Sequence, residues 1–177
     1  LVYFHSYNTS AAIYAQRKWL AEGANKRGYL LILPDGIEKS WSHGGSPRKR
    51  RDEVAFMKAV LKDVESRWSI SQNRVAGGFS VGGSMAWDIA CYMGDKFSAF
   101  IPASGAFWLP IPAVCEQPTH LRHTHGTADQ TVPMEGRAIG NSRQGDVLEG
   151  FQTWRSTNGC DEDGSEKIVG TSTCSVW

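Results

Sequence analysis

Short apolar runs alternate with amphipathic stretches along the chain of 177 residues, and this alternation restricts the fold more than any other feature. Period-2 or continuous apolar patterns predict strands at 1–5, 29–33, 74–77, 97–103 and 119–125. Helical spacing predicts helices at 11–27, after Asp52, after Ser80 and at 145–157. Strands that alternate with helices favour a parallel sheet covered by helices on both faces. We predict a single α/β domain over 1–177.

The pentapeptide Gly-Phe-Ser-Val-Gly at 78–82, followed by Gly83, lies between one of these strands and the next helix. Nucleophilic serines of many hydrolases stand on such a strand, elbow and helix. The glycines leave room for a sharp turn, so that the hydroxyl of Ser80 stands clear and the backbone N–H of Val81 faces a developing oxyanion. We predict Ser80 as the nucleophile. The alternative is a glycine-rich turn without chemistry.

Other polar residues follow the predicted strands at the same edge of the sheet. Active sites of open parallel sheets lie beyond the carboxyl ends of the strands. Ser80 and the residues just after His5, Leu33, Ala103 and His125 are therefore expected to lie close together.

Composition narrows the classes of partner. The formal net charge is +1, which gives no general attraction to nucleic acid or to an anionic membrane. The basic run at 47–51 is interpreted as a solvated loop. No apolar stretch approaches the roughly 20 residues of a membrane span. We expect neither a nucleic-acid nor a membrane partner, and the sequence does not indicate the oligomeric state.

The four cysteines are interpreted as two disulfides, because none shows the close spacing of zinc ligands. Three pairings are open. We favour Cys91 with Cys115, which would tie a helix to a proline-rich loop, and Cys160 with Cys174, which would close a polar segment poor in regular structure. The alternative is four free thiols in a cytosolic protein.

Several segments together resemble the α/β-hydrolase superfamily and, within it, the polyhydroxybutyrate depolymerase and feruloyl esterase group, similar to carbohydrate esterase family 1. The matching segments are 1–7, 33–36, 52–56, 78–83, 97–105, 125–129 and 132–133. The resemblance implies an α/β-hydrolase fold, a mostly parallel sheet flanked by helices, of which this sequence lacks parts at both ends. It also implies a secreted or periplasmic protein whose signal peptide is not in this sequence.

The same resemblance implies roles for particular residues. Asp129 would be the acid of a catalytic triad, and the backbone N–H groups of Tyr7 and Val81 would form the oxyanion hole. His5 would support the turn before Tyr7, where Ser6 replaces the glycine of the family. The triad histidine should follow the acid, yet all five histidines precede Asp129. We expect this histidine to lie in a segment that follows Trp177.

The predicted function is therefore hydrolysis of carboxylic esters through an acyl-enzyme, with no metal and no organic cofactor. The expected substrates are polyhydroxyalkanoate-type polyesters or acyl and feruloyl esters of plant polysaccharide, with Trp41 and Trp108 in the substrate-binding cleft. One alternative is a noncatalytic α/β-hydrolase-like protein that lacks the triad histidine and binds a sugar or an aromatic ligand between Trp41, Phe107 and Trp108. The other is a metallohydrolase that uses His120, His123 and His125, although their spacing departs from the usual ligand pattern.

Overall fold

A three-stranded parallel sheet forms the centre of the protein in the computed structural model, which describes residues 1–161 and 163–177. The strands are β1 (Val2–Phe4), β2 (Val75–Phe79) and β3 (Ala99–Ala103), with β2 in the middle. Phe4 lies opposite Gly78, and Gly78 lies opposite Pro102. The carboxyl ends of the strands therefore meet at one edge, as the sequence predicts.

The predicted strands at 29–33 and 119–125 are reduced to isolated parallel bridges at the two sides of this sheet. Ile32 bridges to Val2, while Leu121 and Thr124 bridge to β3. After β1 the chain first forms the bridge at Ile32 on one side of β1, and then it forms β2 on the other side. The direction in which strands are added therefore reverses between β1 and β2. This reversal is the topological switch point at which open α/β sheets place their ligands.

The helices are α1 (Ala11–Ala15), α2 (Lys18–Lys26), α3 (Glu53–Arg67), α4 (Val81–Met93) and α5 (Val147–Asn158). The single helix predicted at 11–27 is broken, because Arg17 adopts an extended backbone with φ −80° and ψ 96°. Asp52 accepts a hydrogen bond from the backbone N–H of Ala55, and so it caps α3 as expected.

Two hydrophobic clusters lie on the two faces of the sheet, and β1 contributes to both by alternation. Val2 and Phe4 belong to the larger cluster, which also contains buried residues of α3, α4 and α5. Tyr3 points into the smaller cluster with Tyr14 of α1 and Leu20 of α2. Helices thus cover both faces, as the sequence predicts.

Two short hairpins were not predicted. One pairs β4 (Ala138–Ile139) with β5 (Ser142–Arg143), and the other pairs β6 (Ser165–Val169) with β7 (Ser172–Val176). The expectation that the segment between Cys160 and Cys174 is poor in regular structure is wrong, because an exposed hairpin lies there. Its turn contains Gly170 at φ +64°. In the part of the chain that the structure describes, no helix is long and apolar enough to cross a membrane.

One of the two favoured disulfides is confirmed. Cys91 and Cys115 are bonded, with a Cα–Cα distance of 4.5 Å, and they join α4 to the loop that leads to the outer edge of the sheet. The second pairing is not formed in this structure, where Cys160 and Cys174 are both free. Cys174 lies within β7, opposite Lys167, so its position is set by the register of the hairpin. Cys160 lies just beyond the end of α5 and outside that hairpin.

Candidate active site

Ser80 occupies the turn between β2 and α4 with an unusual backbone conformation. Its φ is 59° and its ψ is −123°, outside the regions that residues with a side chain normally adopt. Such a conformation costs of the order of 1–3 kcal/mol and is concentrated at functional sites. The strand, elbow and helix predicted around Ser80 are therefore present, and the elbow is strained.

Close backbone contacts explain two glycines of the pentapeptide. A Cβ added to Gly82 would lie 2.2 Å from the carbonyl oxygen of Phe4, and one added to Gly78 would lie 2.2 Å from the carbonyl oxygen of Gly82. The first turn of α4 therefore packs directly against the end of β1. This packing brings the start of a helix, with its unpaired N–H groups, beside the turn that carries Tyr7.

A cavity of about 590 Å³ opens at this edge of the sheet and contains Ser80 in its wall. The same wall contains Tyr7 and Val81, which were predicted for the oxyanion hole, and Trp41 and Trp108, which were predicted for the substrate-binding cleft. A second cavity of about 440 Å³ lies at the opposite edge, around the start of β1 and β2. The second cavity is remote from the predicted chemistry.

Asp129 lies in the loop that follows the bridge at Thr124. Its Oδ1 accepts hydrogen bonds from the backbone N–H groups of Thr131 at 2.8 Å and Val132 at 3.0 Å. Burial acts to raise the pKa of Asp129, but hydrogen bonds from Val132, Thr131 and Ser104 and the proximity of His125 together hold it below its ordinary value. The carboxylate of Asp129 is therefore ionised, and its hydrogen bonds hold it in place. Two of its partners, Thr131 and Val132, belong to the cavity wall.

His123 and His125 form a chain of hydrogen bonds. The indole Nε1–H of Trp87 donates to His123 Nδ1 at 3.1 Å, and His123 Nε2 lies 2.9 Å from His125 Nδ1. His125 Nε2 lies 2.6 Å from the carbonyl oxygen of Val132 and must donate to it, since a carbonyl only accepts. Burial, followed by the nearby His125, lowers the pKa of His123 to about 3, so it is neutral at physiological pH.

This chain of hydrogen bonds argues against the metallohydrolase alternative. The ring nitrogens of His123 and His125 already have partners, and His120 is exposed. Within 1–161 and 163–177, no three His, Cys, Asp or Glu side chains are grouped so that they could hold a metal ion. The pairing of His123 with His125 on one face agrees with the strand alternation, and His123 packs edge-on against Trp87.

His43 is the histidine in the cavity wall and is 1% exposed. Its Nδ1 lies 3.1 Å from Oδ2 of Asp88 and donates to it. Its Nε2 is buried and has no hydrogen-bond partner among the described residues. The sequence does not indicate that His43 and Asp88 form a pair, because 45 residues separate them.

The other ring nitrogens at this edge are occupied. His5 is buried, its Nδ1 donates to the carbonyl oxygen of Ser6 at 2.9 Å, and its Nε2 accepts from the backbone N–H of Gly36 at 3.0 Å. His5 therefore supports the turn before Tyr7, as the sequence predicts. Trp41 donates to the carbonyl oxygen of His5 at 2.9 Å and reinforces the same turn.

The aromatic residues of the binding-protein alternative do not form one open cleft. Trp41 and Trp108 line the cavity but are only 1% and 6% exposed, so they form its wall. Phe107 instead packs in the core, edge-on to Trp87 at a centroid distance of 4.9 Å. The sequence places Phe107 wrongly because it cannot tell which of two adjacent aromatic residues turns inward.

The basic run at 47–51 is only partly the solvated loop that its sequence indicates. Arg48 and Arg50 line the cavity, and so does Arg137 from the start of β4. Arg51 instead donates to the buried carboxylate of Glu53 at 2.7 Å, and the other oxygen of Glu53 accepts from the backbone N–H of Ser42 at 2.9 Å. This network holds the loop against the start of α3.

The chain is similar to fungal proteins named as feruloyl esterases. It is 30% identical over 111 residues to the "Probable feruloyl esterase C" of Aspergillus terreus, covering 60% of this chain and 38% of that protein. It is 28% identical over 135 residues to feruloyl esterase C of Emericella nidulans, covering 74% and 43%. It is 25% identical over 194 aligned residues to feruloyl esterase B of Piromyces equi, covering 100% and 35%. No family model matches the chain.

The similarity is therefore to parts of proteins named as esterases. The chain spans between about a third and a little under half of the length of these relatives.

Proposed function

We propose that this protein is a serine esterase that hydrolyses carboxylic esters through an acyl-enzyme, with feruloyl esters as its first substrate class. The observation that carries the proposal is Ser80, held at φ 59° on an elbow in the wall of a 590 Å³ cavity. The similarity to proteins named as feruloyl esterases supports the same chemistry. A strained elbow is the conformation that presents a serine hydroxyl to an ester carbonyl.

In the proposed reaction, Ser80 Oγ attacks the carbonyl carbon, and a histidine takes the hydroxyl proton. The backbone N–H groups of Val81 and Tyr7 donate to the oxyanion that forms. The tetrahedral intermediate collapses, the alcohol leaves with the proton from the histidine, and an acyl-enzyme remains. Water then attacks the acyl group and releases the acid, with the same histidine as the base.

We assign Asp129 as the acid that orients this histidine. Its Oδ1 is held by two backbone N–H groups, while its Oδ2 is 3.9 Å from His125 Nε2, too far for a hydrogen bond. We assign Oδ2 as the oxygen that accepts from the triad histidine. His125 does not fit that role, because its Nε2 already donates to Val132. We propose a histidine from outside these 177 residues.

The pair His43 and Asp88 is a second arrangement that a specific observation favours. His43 has the geometry of a base, since its Nδ1–H is held by a carboxylate and its Nε2 is unpartnered among the described residues. It also lines the cavity that contains Ser80. In this arrangement His43 takes the proton of Ser80 and Asp129 has only a structural role.

Polyhydroxyalkanoate-type polyesters are the second proposed substrate class. Hydrolysis of methyl ferulate and of a 3-hydroxybutyrate oligomer, measured side by side, distinguishes the two substrate classes.

We also propose that the protein is secreted, because the bond between Cys91 and Cys115 is typical of proteins that fold in an oxidising compartment.

The Ser80→Ala variant tests the nucleophile. We expect kcat for methyl ferulate to fall by at least about 10³-fold, because no other group replaces the attacking oxygen. The matched control is Ser69→Ala, an exposed serine at the opposite edge of the sheet, which should retain the activity of the parent protein. Hydrolysis by Ser80→Ala at the parent rate would contradict the proposal.

A further inference from the structure

Three arginines, Arg48, Arg50 and Arg137, line the cavity beside Ser80, and none of the described Asp and Glu residues belongs to its wall. The protein as a whole has a formal net charge of +1, so this concentration of positive charge is local. Charges of one sign in a concave, partly dehydrated site attract a ligand of the opposite sign more strongly than scattered surface charges do. The cavity therefore has an electrostatic preference that hydrolysis of a neutral ester does not require.

Arg48 and Arg137 contribute most of this preference, because their hydrogen-bond partners carry no charge. Arg48 Nη2 donates to the hydroxyl of Tyr7 at 2.9 Å, and Arg137 Nε donates to Oε1 of Gln144 at 3.3 Å. In the described ranges neither guanidinium has a carboxylate within 4.0 Å, whereas Arg50 is paired with Glu38. Two unneutralised positive charges therefore remain at the cavity.

Both guanidinium groups already have hydrogen-bond partners before any ligand binds. Arg48 stacks on the ring of Tyr7 at 5.1 Å, beside the proposed oxyanion donor. Gln144 is 5% exposed, and its backbone N–H donates to the carbonyl oxygen of Arg137 at 2.9 Å, so backbone and side chain both fix this pair. Side chains that are already ordered lose less conformational entropy on binding.

We infer that the substrate carries an ionised carboxyl group in addition to its ester, and that Arg48 and Arg137 bind this carboxylate. A guanidinium matches a carboxylate through two parallel N–H donors, which gives both strength and orientation. The inference rests on the proposed esterase function. The carboxylate belongs either to the acyl part of the ester or to its alcohol part, and the two sources are separated by experiment.

The test measures equilibrium binding of amide analogues, because an amide in place of the ester reports recognition without turnover. The acyl-side pair is the mono-4-nitroanilide of glutaric acid and the 4-nitroanilide of valeric acid. The alcohol-side pair is N-[4-(2-carboxyethyl)phenyl]butyramide and the compound in which its carboxyl group is replaced by a neutral primary amide. Isothermal titration at low salt gives Kd for each compound.

We expect the acid of one pair to bind at least about tenfold more tightly than its neutral partner, and the pair that shows this identifies the source of the carboxylate. The variants Arg48→Gln and Arg137→Gln should each bring the ratio of the two Kd values in that pair closer to one. The matched control is Lys49→Gln, which removes an exposed charge from the same loop outside the cavity wall. High salt should reduce the preference.

Equal Kd values within both pairs would overturn the inference, and so would a preference that survives in the double variant of Arg48 and Arg137. Because the measurement needs no catalysis, a protein that shows the preference but hydrolyses no ester contradicts the proposed function alone. A protein that hydrolyses neutral esters and shows no preference contradicts this inference alone.

Discussion

The carboxylate of Asp129 is the group on which the two arrangements of the proposed active site differ. In the arrangement that we favour, its charge stabilises the histidine that accepts the proton of Ser80. In the other arrangement, His43 accepts the proton of Ser80 and Asp88 stabilises His43. The two acids lie in different hydrogen-bond networks, so each can be neutralised without disturbing the other.

Asp129→Asn should therefore lower kcat for methyl ferulate by at least about 10²-fold with little loss of stability. The amide retains Oδ1 as an acceptor for Thr131 and Val132, so these two hydrogen bonds persist while the charge is lost. Asp88→Asn is the comparison, and steady-state kinetics on both variants decide. A large loss in Asp88→Asn with full activity in Asp129→Asn would transfer the assignment to His43 and Asp88.

The half-buried, neutral His123 predicts a pH dependence of stability. Its pKa is about 3 in the folded protein and about 6.5 in the unfolded chain, so between these values the unfolded state binds the extra proton. The free energy of unfolding should therefore fall by several kcal/mol as the pH decreases from about 6.5 toward 3. This contribution is fully present above pH 6.5.

Urea unfolding at several pH values measures this effect, and His123→Gln provides the comparison. The variant has no titrating ring, so the difference in stability between the two proteins should shrink as the pH falls. Parallel curves for the two proteins between pH 4 and 7 would contradict the assignment of a neutral His123.

The elbow between β2 and α4 depends on the close approach of two backbones. A Cβ added to Gly82 would lie 2.2 Å from the carbonyl oxygen of Phe4 and 2.6 Å from that of His5. The close packing of α4 against β1 and the turn after it therefore requires a glycine at this position. Contacts with backbone atoms cannot be relieved by rotation of a side chain. The position of Ser80 relative to the N–H of Tyr7 therefore depends on a residue that takes no part in the chemistry.

Gly82→Ala should destabilise the protein by roughly 1–3 kcal/mol or more and reduce esterase activity, because its Cβ would lie 2.2 Å from the carbonyl oxygen of Phe4. Gly44→Ala is the matched control, since a Cβ added at Gly44 meets nothing within 4 Å. Thermal unfolding and kcat/KM should both be affected in the first variant and unchanged in the second. Equal behaviour of the two variants would contradict the tight packing of the elbow.

Across the whole molecule, the disulfide between Cys91 and Cys115 is the covalent link that joins the core to the outer edge of the sheet. It closes a loop whose ends are 24 residues apart and which contains β3. This loop includes β3, the strand beside β2. A disulfide stabilises mainly because it reduces the conformational entropy of the unfolded chain.

Replacing both of these cysteines by Ala should lower the free energy of unfolding by about 2–4 kcal/mol. The matched control is the double replacement of Cys160 and Cys174, which are not bonded in this structure and should contribute little. Urea unfolding without reductant compares the two variants. A comparable loss in the control would indicate that Cys160 and Cys174 also pair.

The sequence by itself determines the order of the elements and the elbow. Local patterns are set by backbone geometry over a few residues, and they include the cap Asp52, the alternation of Val2, Tyr3 and Phe4, and the glycines around Ser80. They predict the parallel sheet, the covered faces and the edge at which Ser80, Tyr7 and Val81 meet.

Only the tertiary structure decided the contents of the cavity wall and the pairing of distant groups. His43 meets Asp88 across 45 residues of chain, and His123 meets Trp87 across 36. Arg48 and Arg137 reach one cavity from two separate loops. No local pattern encodes such meetings, because they depend on how loops pack on the finished sheet, and the same packing placed Phe107 in the core and left Cys160 apart from Cys174.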